Sequence, residues 1–132
     1  MVNKMTNNVL AAWDHFHDWY LDSLIFGPNV EPRTLTLGLY LGERRVAVTF
    51  EGVTCVSVER VGLLNIVYGI HVIPPTDAKY ARASDVLERG ERLTQRRAAL
   101  LMFVYSTLGA ELAIECDSLT VQKADRESEA SI

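Results

Sequence analysis

Between Arg33 and Leu41, leucine takes every second position: Leu35, Leu37, Leu39 and Leu41 alternate with Thr36, Gly38 and Tyr40. A helix cannot gather residues two apart onto one face but a strand does, so this segment reads as a half-buried β-strand. Gly42-Glu43 offers a tight turn, after which Val46, Val48 and Phe50 alternate with Arg45, Ala47 and Thr49. The two segments are expected to pair as a hairpin.

The same reading extends in both directions. Glu51-Gly52 interrupts the pattern, and Val53 to Glu59 is rich in β-branched residues, with Thr54, Val56 and Val58 opposite Cys55, Ser57 and Glu59. From Asn65 a further strand sets Ile66, Tyr68, Ile70 and Val72 against Val67, Gly69, His71 and Ile73, until Pro74-Pro75 blocks pairing. Ala98 to Tyr105 is apolar on both faces and reads as a central strand. Leu112, Ile114 and Cys116 alternate with Glu111, Ala113 and Glu115, and Leu119 and Val121 continue the pattern past a bulge or turn at Asp117-Ser118.

Toward the N-terminus, Asn7 or Asn8 caps a helix carrying Val9, Leu10, Trp13 and Phe16 on one face. His17 to Phe26 fits helix or strand, and we read a strand from about Asp18, ended by the prolines and glycine of residues 27–32. The charged stretch 77–97 is a crossover in which Ser84, followed by Asp85 and Glu88, starts a short helix. The expected class is α+β, mainly β. It is one domain over residues 1–132, an antiparallel sheet or sandwich of six to seven strands, with an N-terminal helix, a short crossover helix and a frayed tail over 123–132.

Charge and composition exclude several function classes. The chain holds 13 Lys and Arg against 17 Asp and Glu, a formal charge of -4, so nothing draws it as a whole to nucleic acid or anionic lipid. Its longest strongly apolar stretch without formal charge, Ala98 to Ala110, is short of the roughly 18–20 residues of a spanning helix. Residues 1–10 lack the pattern of a secretory signal, and a cytoplasmic protein is expected. Cys55 and Cys116 lie in separate apolar segments and read as free core residues, without cofactor or disulfide.

Chemistry-bearing residues concentrate in Trp13-Asp14-His15-Phe16-His17-Asp18-Trp19. On an extended segment His15 and His17 could share a metal ion, with Asp18 or His71 completing the set. On a helix they point about 200° apart and could not. His17 with Asp18 and His71 could also serve acid–base chemistry near neutral pH, although no Gly-x-Ser-x-Gly nucleophile or phosphate-cradling glycine loop accompanies them. The bland alternative is a junction in which these side chains cap backbone groups.

Trp13, Trp19 and Tyr20 are candidate anchors for a protein partner wherever they remain exposed. Glu111, Glu115 and Asp117 form the front of an acidic C-terminal region suited to steering a basic partner. Arg82, Arg89, Arg92, Arg96 and Arg97 are interspersed with Asp85, Glu88 and Glu91 and read as paired along their own helix.

His17-Asp18, Leu35-Thr36-Leu37-Gly38-Leu39, the run Val48 to Val53 and Leu108-Gly109-Ala110-Glu111-Leu112 together resemble small uncharacterised bacterial β-rich proteins. Some of these are classed as immunity-like proteins of bacterial toxin systems. The resemblance spans roughly His17 to Val121. It implies a single-domain binding protein without catalysis and assigns no functional residue. The expected function is a bacterial protein-binding module, toxin-neutralising or a homo-oligomeric assembly subunit such as a homodimer, with a small hydrolase or ligand-binding protein using the His/Asp site as the alternative.

Overall fold

The structure, a computed structural model, describes residues 2–124. An N-terminal helix α1 (Val2–Ala11) leads through a short turn at Asp14–Phe16 into β1 (Tyr20–Phe26), β2 (Thr34–Leu41), β3 (Arg44–Glu51), β4 (Cys55–Glu59) and β5 (Ile66–Val72). Helix α2 (Tyr80–Glu88) follows, then β6 (Leu100–Leu108), β7 (Glu111–Cys116) and β8 (Ser118–Lys123). Every strand pair is antiparallel, in one sheet of order β4-β7-β6-β5-β1-β2-β3-β8.

The leucine hairpin forms as expected. Leu35, Leu37 and Leu39 face Phe50, Val48 and Val46 in register, and all six are buried. At roughly 1.5–3 kcal/mol for each fully buried aliphatic or aromatic side chain, this hairpin supplies a large share of the drive to fold.

The sheet has eight strands rather than six or seven because the break at Asp117 changes partners. Residues 111–116 pair with β4, and residues 118–123 pair with β3. The chain crosses from one end of the strand order to the other through one residue, so both ladders must bend at the same corner. There Asp117 N–H donates to Glu51 O and Thr54 N–H to Glu115 O, each at 2.9 Å. Gly52, at φ +66°, lets the connection from β3 to β4 follow the bend. The folded-over sheet wraps one core to which β1, β2, β3, β5, β6, β7 and β8 all contribute. On its outer face a second cluster joins Ala83, Val86 and Leu87 of α2 to Cys55, Leu101, Phe103 and Ala113. Strand β7 is therefore buried on both sides.

Several boundaries and registers differ from the sequence reading. Helix α1 starts earlier and ends at Ala11, burying Thr6 and Leu10 while Val9 stays exposed, so Trp13 and Phe16 lie beyond it. Asp14, His15 and Phe16 adopt φ of 51°, 53° and 61°, a left-handed turn that no helix continues through, and Asp18 follows at 69°. In β5, register shifts flanking Val67 turn Val67, Ile70 and Val72 to one core, against the simple alternation. Helix α2 begins at Tyr80 rather than near Ser84. Of the expected tail, Lys123 pairs with Val46 and Ala124 N–H donates to Arg45 O, and residues 125–132 lie outside the described residues. Among the described residues no helix is long and apolar enough to cross a membrane.

Replacing Gly52 tests the corner. A Cβ there would run into the Asp117 carboxylate and would sit at a left-handed φ. Gly52→Ala is expected to lower the unfolding free energy by about 1–3 kcal/mol in urea denaturation. An unchanged midpoint would show that the corner is slack.

Candidate functional site

The left-handed turn positions two of the histidines. A left-handed conformation costs about 1–2 kcal/mol per non-glycine residue. It is offset here by burial of Phe16 and Trp19, by the stacking of Trp13 on Phe16 at 5.5 Å, and by two ring-to-backbone bonds. His15 Nδ1–H donates to Ile70 O at 3.0 Å and His17 Nδ1–H donates to Tyr68 O at 2.9 Å. These bonds fix both rings along β5 and put the proton on Nδ1.

Of the predicted His/Asp site, the fold brings together His15 and His71, stacked with centroids 4.3 Å apart, and Tyr105 meets His71 edge-on at 5.9 Å. His17 and Asp18 stand apart from that pair, with His17 Nε2 3.6 Å from the Asp18 carboxylate at the surface. Among the described residues no three His, Cys, Asp or Glu side chains are placed to hold a metal ion. Burial, then the neighbouring His15 ring and Lys79, push the His71 pKa below its ordinary value, against an opposing pull from Asp77. Cys55 and Cys116 are free, one under α2 and the other in the main core. Burial raises the pKa of both thiols, that of Cys116 to about 12, so neither is an activated nucleophile.

The predicted partner-binding residues are engaged within the chain. Trp19 is buried, and Trp13 is half-buried with the Arg44 guanidinium 5.5 Å from its ring and 5.0 Å from that of Trp19. Tyr20 stacks on Tyr40 at 5.1 Å. Glu111 and Glu115 are buried rather than forming an open acidic face, and each meets arginine from the α2 crossover. Arg92 grips both Glu115 oxygens at 2.8 and 3.0 Å, Arg82 reaches Glu111 at 3.2 Å, and Arg96 holds Asp117 at 3.0 and 3.3 Å. Thr54 Oγ1–H and the Ala98 amide also donate to Glu115. Burial alone would raise the Glu115 pKa, but these donors, led by Arg92, hold it below the usual carboxylate value. The arginines thus pair across the sheet rather than along their own helix.

The feature that sequence reading missed is the outer edge of β1. Its ladder with β5 has a single register pair, Tyr20↔Ile66, and closes with Leu21 N–H donating to Asn65 O at 2.8 Å. Asn65 then turns the chain away, its side chain bonded to Gly62 and to the Ala110 amide. Among the described residues, only β2 pairs with β1 from Ser23 to Phe26.

Gly27 N–H donates to Thr34 O at 3.0 Å, and antiparallel alternation from that bond turns the Ile25 and Ser23 backbone toward β2 and that of Leu24 and Phe26 outward. Two clefts border this edge. One, about 440 Å³, lies between Tyr20–Leu24 and the loop Val61–Asn65; the other, about 230 Å³, lies between Phe26–Leu35 and Val53–Val56 with Glu91, Leu93 and Thr94. Ile25, Phe26, Val61, Leu63 and Leu64 are exposed beside them, while no histidine borders either. No protein family, curated protein or solved structure matches this chain.

Two outcomes test these pairings. An unfolded chain holds His71 near about 6.5, above its folded value, so the unfolded state binds more protons between the two. The contribution of His71 to stability is complete above about pH 6.5 and is lost as pH falls toward the folded value. His71→Phe should therefore flatten the acid side of the stability profile in urea unfolding, whereas identical wild-type and variant slopes would exclude this linkage. Arg92→Met strands the Glu115 carboxylate and is expected to cost about 3 kcal/mol, much of it regained in the double variant with Glu115→Gln. Additive losses would mean the pair does not act as a unit.

Proposed function

We propose that this protein is a non-catalytic protein-binding module that takes an extended polypeptide segment against the outer edge of β1. The observation that carries the reading is the pair of outward backbone units at Leu24 and Phe26, which among the described residues have no strand partner and lie between two clefts with apolar walls. Strand addition at such an edge draws affinity from backbone hydrogen bonds and specificity from pockets for alternate side chains. Here the clefts on either side supply those pockets. Steric neutralisation of a toxin, the use implied by the resemblance to immunity-like proteins, is one task this mode of binding would serve.

A histidine-dependent hydrolase has one observation in its favour, the approach of His71 to His15. The pair borders neither cleft, and neither cysteine thiol is activated. The binding reading therefore accounts for more of the exposed surface.

Selection of displayed random peptides on the immobilised protein tests this reading without knowledge of the natural partner. Enriched peptides should alternate apolar residues and slow amide exchange at Leu24 and Phe26. Failure to enrich any peptide, or enrichment of peptides that protect only other surfaces, would refute it.

A further inference from the structure

We infer that the segment received by this edge is β1 of a second copy, with the two copies paired antiparallel about a two-fold axis at Ile25. The inference rests on the binding-module reading and names its partner.

The two end strands of the sheet order each carry a neighbouring segment or a charge. Gly90 lies so close to the Val56 carbonyl of β4 that a Cβ would collide with it, and Arg89 bonds Glu59 at the end of the same strand. Helix α1 packs against β8, which carries Lys123 at its end. Natural edges are commonly guarded by such covers and charges. Residues Ser23 to Phe26 have neither: the segment is uncharged, and its flanking charges are already paired, Asp22 with Arg45 and Glu31 with Arg33. Two copies approaching here bring together no unpaired charge from β1 itself.

The backbone register is self-complementary. The outward residues Leu24 and Phe26 are two apart, so a two-fold axis at Ile25 sets Leu24 opposite the other copy's Phe26 and the reverse. Each of these facing pairs exchanges both backbone bonds, giving four hydrogen bonds with no outward group left over. An axis one residue away, at Leu24, would pair that residue with itself and set Phe26 against the bulge at Asp22. With the axis at Ile25, the two exposed Ile25 side chains meet in the closer, non-hydrogen-bonded position. The contact is isologous, so assembly closes at a dimer instead of continuing into a fibre.

Sedimentation velocity of the full chain, alongside Ile25→Lys and Ile25→Cys, tests the inference. Wild type should sediment at twice the 14.8 kDa chain mass. Ile25→Lys, which sets two cations face to face on an exposed site, should sediment as a monomer with an unchanged circular dichroism spectrum. Ile25→Cys should form a covalent dimer on mild oxidation. A monomeric wild type that still binds β1-directed peptides overturns the dimer and leaves the binding reading standing. A monomeric wild type that binds none overturns both. A dimer that persists in Ile25→Lys and does not cross-link through Ile25→Cys overturns this interface.

Discussion

Asp117 stands alone between two strands that hydrogen-bond to partners at opposite ends of the sheet. A one-residue connection leaves no loop to span that distance, so the sheet itself must fold over. The connection from β3 to β4 bends with it at Gly52, and Arg96 ties the corner by bonding both the Asp117 carboxylate and the Gly52 carbonyl. A single core then serves both halves of the sheet, and α1, in contact with β5 and β8, spans strands that are distant in the sheet order. Corners where strands bend from one sheet direction to another are a known solution to packing β-layers at steep angles.

The segment between β5 and β6 works as a second layer over the outer face. Its apolar contribution is small, a few side chains of α2, but its arginines reach acids on β4, on β7 and at the corner. The pairs are unequal. Arg92 and Glu115 are both largely buried, so either alone would be an uncompensated charge, while Arg89–Glu59 and Arg96–Asp117 are more exposed and each contribute little to stability. Charges that could have steered a partner instead hold the crossover against the sheet.

What the sequence made legible was local. The leucine hairpin followed from a period of two sustained over both strands, and the stops at Glu51-Gly52 and Pro74-Pro75 followed from backbone chemistry. The left-handed turn at Asp14–Phe16 carries no glycine, so nothing local announced that the helix would end at Ala11. Register shifts in β1 and β5 reset which side chains face the core, and alternation alone cannot reveal them. The arginines and acids pair across 21 to 30 residues of sequence, so the arginines read as paired along their own helix and the acids as an open acidic face. Least legible was the open edge of β1, because it depends on strand order and on Asn65 leading the chain away.

The β1 edge differs from the rest of the strand in its backbone partners. If Leu24 and Phe26 face outward without partners, their amides differ sharply from those of Ser23 and Ile25, which bond to β2 in the same strand. Residue-resolved hydrogen exchange on the protein at high dilution measures that difference directly. Alternation is expected, with Ser23 and Ile25 protected and Leu24 and Phe26 exchanging fast. Uniform protection from Ser23 to Phe26 would mean that another part of the chain already covers the edge, and would rule out strand addition there.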